Sequence, residues 1–202
     1  MRVVAIVSQK GGVGKTTIAT ALAVEALRRK KSVALFDLDP QASASFWKDT
    51  RGSDDLAITA IPSARLDHVL RNVRAANCDL VIIDTPPFSK DIAYEAAQQA
   101  DFVLVPTRPA VLDVMAMQRT LELLKGYDRP HGVVLTFCPP TGREISDAVT
   151  VIRQLGSDLC PVRIGQRIVY SRAQQTGRAA QELEPEGKAA SEIAKLYDYA
   201  CV

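Results

Sequence analysis

Lys10-Gly11-Gly12-Val13-Gly14-Lys15-Thr16-Thr17 stands between an apolar run at residues 3–7 and a segment in which Ile18, Leu22 and Ala26 recur at helical spacing. A glycine-rich turn between a strand and a helix is the context that a phosphate cradle requires. Glycines let the backbone bend tightly and approach phosphate oxygens. The exposed N–H groups of such a loop, together with the helix N-terminus, favour anions. In this arrangement Gly11, Gly12, Val13 and Gly14 form the cradle and Lys15 reaches the β- and γ-phosphates. The Thr16 hydroxyl coordinates Mg²⁺, and Thr17 donates to the α-phosphate. The alternative is a glycine turn that caps a helix; against it, glycines, lysine, threonines and strand context all coincide.

Outward from the loop, short apolar runs alternate with helical patterns. Residues 3–7, 33–36, 80–83, 102–105 and 133–137 read as strands buried on both faces, with a weaker run at 161–164 and a doubtful edge strand at 57–61. Helical stripes are Leu66, Val69, Leu70 and Val73 behind Ser63 as N-cap, then Val114, Met117, Leu121 and Leu124, then Ile145, Val149 and Ile152. Strand–helix alternation implies a doubly wound α/β sheet with right-handed crossovers. The 202 residues fit one domain. With 47% hydrophobic and 24% charged residues, global disorder is excluded. No apolar run approaches the length of a membrane span, and residues 3–7 are too short for a signal peptide. Cys78, Cys138, Cys160 and Cys201 form no CxxC pair, so they read as free thiols in a reducing cytosol.

Two carboxylates, Asp37 and Asp39, close the second strand in Phe36-Asp37-Leu38-Asp39-Pro40-Gln41. Spaced by one residue, they point the same way at the edge where open α/β sheets bind ligands. Acids there need a cation or a donor, and Mg²⁺ with an attacking water meets that need. Asp39 also suits N-capping of a helix at residues 41–47. Asp84 ends the run Asp79-Leu80-Val81-Ile82-Ile83-Asp84 in the manner of a Walker B acid, holding Mg²⁺ through water. Residues 85–89 then sense the γ-phosphate, as a GTPase switch does.

The loop departs from the usual Walker A spacing: Gln9 stands five residues before Gly14, and Lys10 opens the loop. KGGVGKTT resembles the deviant Walker A loop of the ParA/MinD ATPases. The resemblance extends to DxDPQ at residues 37–41 and to DPQASASFW with Trp47, a pattern similar to the small ParA partition ATPases without an N-terminal helix-turn-helix domain. It covers the whole chain, although its specific motifs lie within the first 90 residues. It implies a single three-layer domain over residues 1–202, a P-loop NTPase with a mostly parallel sheet.

The resemblance also implies that Lys10 crosses a dimer interface to the partner subunit's phosphates, sandwiching two ATP molecules. Asp39 positions the attacking water and Asp37 orients the loop or the metal shell. ATP is preferred over GTP mainly through this resemblance. A guanine-specific segment, Asn/Thr-Lys-x-Asp, is also absent, Leu135-Thr136-Phe137-Cys138 occupying that position. The Pro106-Thr107-Arg108-Pro109 segment is similar to one near the dimer interface or nucleotide. The implied protein is a Mg-dependent ATPase, slow alone and stimulated by a ParB-like centromere-binding partner. It is cytoplasmic, bound nonspecifically to nucleoid DNA, and it segregates a plasmid or chromosome. Related ATPases that position a protein cargo share the chemistry. A small-molecule kinase or ligase is a third reading, for which no acceptor motif is seen.

Charge adds one further expectation. Net charge is +2, from 25 basic and 23 acidic residues, so any polyanion surface must come from local placement. Arg163, Arg167, Arg172 and Arg178 lie in a stretch without acids, and arginine suits phosphate contacts; the resemblance to the small ParA ATPases implies that these residues contact DNA, and a solvated helix face is the alternative. Arg28-Arg29-Lys30-Lys31 reads as a helix terminus complementing its dipole. Residues 188–199 are nearly charge-balanced and poor in large apolar side chains, which reads as a packing helix without membrane targeting.

Overall fold

Alternate residues of each inner strand face opposite layers, and both layers are apolar. Residues Val4 and Ile6, Leu80 and Ile82, and Phe102 and Leu104 enter one core, while Val3 and Ala5, Val81 and Ile83, and Val103 and Val105 enter the other. A chain with this pattern is buried on both faces, as parallel sheets require. In the computed structural model, which describes residues 1–126 and 129–202, the strands are β1 (Arg2–Ile6), β2 (Val33–Asp37), β3 (Ala57–Ala60), β4 (Leu80–Asp84), β5 (Phe102–Thr107), β6 (His131–Leu135) and β7 (Asp158–Leu159). They form one seven-stranded sheet in the order β3-β2-β4-β1-β5-β6-β7, and every pairing is parallel.

Helices α1 (Lys15–Arg28), α2 (Ser43–Arg51) and α9 (Lys188–Ala200) cover the first face. Helices α3 (Leu66–Ala75), α4 (Lys90–Gln99), α5 (Val111–Leu124) and α6 (Arg143–Gln154) cover the second. The short α7 (Ile168–Gln175) and α8 (Ala180–Leu183) join the last strand to α9. Fully buried Ile6, Leu22, Leu35, Ile82 and Leu104 each contribute about 1.5–3 kcal/mol relative to exposure. The expected three-layer doubly wound fold is the one observed, and residues 188–199 do pack, burying Ile193, Leu196 and Tyr197.

Three local expectations are corrected. The run at 161–164 is not the last strand. Cys160 N–H reaches the Val133 carbonyl at 2.8 Å, but the next donor onto β6 is Ile164 N–H to Leu135 at 2.9 Å. In register Val162 N–H would have met Leu135, so two extra residues are inserted there as a bulge on this edge segment. Ser63 does not cap α3; it opens a 3₁₀ turn, Ser63–Arg65, with no side-chain cap bond. Finally, Asp37 rather than Asp39 serves the N-terminus of α2, its Oδ2 accepting the Ala44 N–H at 2.9 Å.

Because all strands run the same way, their C-terminal ends share one edge. β4 lies between β2 and β1, so Asp37, Asp84 and the loop after β1 meet there.

Candidate nucleotide site

Residues 9–14 leave β1 and enter α1 through Gly14, which adopts φ +89°. Gly12 adopts φ +71°. Both conformations disfavour any side chain. A Cβ at Gly12 would also stand 3.2 Å from the Arg108 guanidinium, and one at Gly14 3.3 Å from the Phe137 ring. The first turn of α1 holds no acid, so its N–H groups and dipole face the loop uncompensated. Lys15 is only 7% exposed, and its Nζ donates to the Lys10 carbonyl at 3.2 Å. Burial pulls its pKa down, against the attraction of Asp84 and Asp39. An ammonium held in this way is suited to a phosphate.

The carboxylates divide their work. Asp37 is buried, and its oxygens accept the Asp39 N–H at 3.0 Å and the Ala44 N–H at 2.9 Å. Burial pushes its pKa up, and these backbone donors oppose the shift. Asp37 is thus bonded through both oxygens to the backbone that leads from β2 into α2. Asp39 is half-buried; Oδ1 accepts the Gln41 N–H at 2.9 Å, and Oδ2 has no partner among the described residues. Asp84 Oδ2 accepts the Thr16 hydroxyl at 2.6 Å, while Asp84 Oδ1 is buried without a partner. Burial drives the Asp84 carboxyl well above its usual range despite the Thr16 bond.

An orphaned carboxylate oxygen beside a threonine hydroxyl fits Mg²⁺, a hard cation that keeps several waters and takes few protein ligands. No cluster of three or more His, Cys, Asp or Glu suited to a metal occurs among the described residues. An ion at this edge would thus be shared with substrate phosphates and water.

Further contacts were less legible in sequence. The Thr136 hydroxyl donates to the Val13 carbonyl at 3.0 Å, the Gln9 N–H donates to the Thr120 hydroxyl at 3.3 Å, and Arg108 donates to the Gly12 carbonyl. The Arg108 guanidinium also lies 4.4 Å from the Phe137 ring centroid. Arg108 lies in the segment expected near the nucleotide or interface; no motif marks Thr120 or Phe137. Beyond Gly14 opens a cavity of about 830 Å³, lined by Thr17, Ile18, Phe137, Gln166 and Tyr170 among others. That volume is ample for a nucleoside.

One carboxylate holds the far wall of this cavity. Glu192 on α9 accepts the Gly165 N–H at 3.1 Å, Arg167 Nε at 3.2 Å and the Tyr170 hydroxyl at 3.3 Å. Glu192→Ala is expected to weaken ATP binding about 10-fold with little change in turnover at saturation. A 10-fold loss is about 1.4 kcal/mol, less than a full charge-assisted bond, because Glu192 acts on the wall and not on the nucleotide itself. Titration with a fluorescent ATP analogue checks this, and unchanged affinity would show that the wall stands without Glu192.

Comparison with known proteins agrees with this geometry. The domain described as the CobQ/CobB/MinD/ParA nucleotide binding domain matches residues 4–180. This chain belongs to that family. Among its relatives is the Maintenance of carboxysome distribution protein A of Halothiobacillus neapolitanus, 31% identical over 93% of this chain and 90% of the relative. The protein of the same name in Gloeobacter kilaueensis is 42% identical over 76% of this chain and 70% of its own length. Protein ParA of Rhizobium radiobacter is 29% identical over 88% and 84%. The fold matches MinD of Pyrococcus horikoshii, solved as its Mg-ADP complex, with a TM-score of 0.77, 19% identity and coverage of 98% and 95%. The chain is thus a ParA/MinD-family P-loop ATPase.

For this ParA/MinD-family ATPase, the expected arginine surface is only partly assembled. Arg167 is committed to Glu192, so one of the four charges of the acid-free stretch is cancelled by a residue of α9. Arg178 faces a separate cleft shared with Arg28 and Arg51. Arg163 and Arg172 are exposed. No helix among the described residues is long and apolar enough to cross a membrane.

Proposed function

We propose that this ATPase works as a nucleotide-switched dimer: two chains close on two ATP molecules, hold a cargo while ATP lasts, and separate after hydrolysis. The observation that carries this reading is Lys10. Its backbone is fixed at the loop mouth, the N–H bonded to Ser8 Oγ at 3.3 Å and the carbonyl to Lys15. Its ammonium has no partner among the described residues. A cation placed at the rim of a phosphate cradle but not used within it suits the phosphates of a second subunit. Exposed apolar side chains stand around the same rim. Phe88 is 75% exposed and lies beside Gly11, and Val111 and Leu112 are 77% and 69% exposed just after Arg108. Such a rim is the composition of a contact surface.

Within the closed pair, the chain's own groups act by position and charge. Lys15 holds the β- and γ-phosphates from its own subunit and Lys10 reaches those of the partner. The free Oδ2 of Asp39 orients a water in line with the γ-phosphorus. Attack by that water yields ADP and inorganic phosphate. Thr16 and Asp84 would hold Mg²⁺, which when bound neutralises charge on the phosphate oxygens. The cargo reading is DNA partition with a ParB-like partner, the dimer resting on nonspecific DNA. The two relatives named for carboxysome distribution favour a second load, a protein assembly moved by the same switch; finding a gene for a ParB-like protein beside this one would favour the first. Lys10→Ala is the test: it should still bind ATP within about threefold of the unaltered chain yet fail to dimerise. An ATP-dependent dimer of this variant would contradict the role given to Lys10.

A further inference from the structure

Arg108 follows β5 at the edge where the phosphate loop opens, and its charge is unspent within the chain. One of its N–H donors reaches the Gly12 carbonyl, and the guanidinium lies 4.4 Å from the Phe137 ring centroid. Its Nε is buried and has no hydrogen-bond partner. No carboxylate among the described residues pairs with it. Asp113, the nearest acid along the chain, is buried on α5 with its own Oδ1 unpartnered. A guanidinium left with a neutral carbonyl and a ring, and with a buried donor unused, is short of an anion.

The ring beneath it is held there at a cost. Phe137 follows β6 with φ +50°, a left-handed conformation that bulky side chains rarely adopt, and it stays 41% exposed. Core packing therefore does not account for its placement. Its ring borders Gly14, where a Cβ would stand 3.3 Å away, and it lines the nucleoside cavity. Phe137 thus stands at the junction of the loop and the cavity, which the α- and β-phosphates of a bound nucleotide must cross. A flat ring at this point fixes the plane of a guanidinium, and stacking leaves the in-plane N–H donors free for phosphate oxygens. The loops after β1, β5 and β6 together build this arrangement.

We infer that Arg108 is a nucleotide-binding residue of its own subunit: from its seat on the Gly12 carbonyl and the Phe137 ring, the guanidinium takes the α- and β-phosphates of ATP or ADP. The inference deepens the nucleotide site and rests on residues 10–17 being the phosphate cradle; it does not depend on dimerisation. Lys15 serves the β- and γ-phosphates and Lys10 those of the partner, which leaves the α-phosphate with the Thr17 hydroxyl but no cation of its own chain. Arg108 fills that place. The phosphates it meets are common to substrate and product, so it separates nucleotide from nucleoside and slows the release of ADP after hydrolysis.

Calorimetric titration with ADP and with adenosine, in buffer containing Mg²⁺, is the experiment. Arg108→Gln keeps a donor for the Gly12 carbonyl but removes the charge. It is expected to lower ADP affinity about 10-fold and to leave adenosine affinity within about twofold. Arg108→Lys keeps the charge without the planar fork, and a loss of about threefold is expected for ADP. Release of a fluorescent ADP analogue, followed by stopped flow, is expected to quicken about 10-fold in the glutamine variant, since such changes fall mainly on the off-rate. Unchanged ADP affinity in Arg108→Gln would overturn the inference. So would equal losses for ADP and adenosine, which would show that Arg108 only shapes the loop and the cavity. Lys15→Ala separates this inference from the reading beneath it. If that variant also keeps its ADP affinity, the phosphate cradle itself is wrongly assigned; if it loses affinity and Arg108→Gln does not, only the role of Arg108 fails.

Discussion

Replacing Lys15 with alanine is expected to lower ATP affinity about 100-fold while the protein melts at or above its usual temperature. The two effects come from one fact. Lys15 is buried, and among the described residues its only side-chain hydrogen bond is to the Lys10 carbonyl at 3.2 Å. Before ATP arrives, its charge lies in a poorly solvated place, which is why burial pulls its pKa down. Removing it therefore costs the empty protein little. Once phosphates occupy the loop, the same burial strengthens the ion pair, and truncating one partner of such a pair typically costs about 2–5 kcal/mol. Calorimetric titration with ATP and a thermal melt of the empty protein measure both quantities. Unchanged ATP affinity would mean that residues 10–17 are not the phosphate cradle. Lower affinity with a collapsed melting temperature would mean that Lys15 holds the fold instead.

Asp39→Ala is expected to bind ATP normally and to hydrolyse it about 100–1,000-fold more slowly, the usual magnitude for removing a group that orients or activates a reacting water. Binding should survive because the loop does not depend on Asp39. Asp37 carries the backbone from Asp39 to Ala44 through both of its oxygens, while Asp39 contributes one bond to the Gln41 N–H. Single-turnover hydrolysis at saturating ATP reads the chemical step. A rate within about threefold of the unaltered chain would remove Asp39 from the mechanism.

Much of the site was legible because its chemistry sits in consecutive residues. The glycines, lysines and threonines of residues 10–17 declare their geometry locally, and the parallel sheet then had to bring the acids ending β2 and β4 to the same edge. What sequence could not show was assembled across distance. Glu192 lies 25 residues from Arg167 and cancels its charge, so a stretch without acids was not a surface without acids. The exchange between Asp37 and Asp39 has a similar cause: either acid is a competent cap, and the curvature of the loop after β2 decides which one meets the Ala44 N–H.

The central claim is that ATP makes the chain a dimer and hydrolysis unmakes it. Light-scattering mass of the Asp39→Ala chain, measured with ATP and with ADP, tests it most directly. The account predicts a stable species of about twice the 21.9 kDa chain mass with ATP and a monomer with ADP. A monomer under both conditions, with ATP shown to be bound, would contradict it.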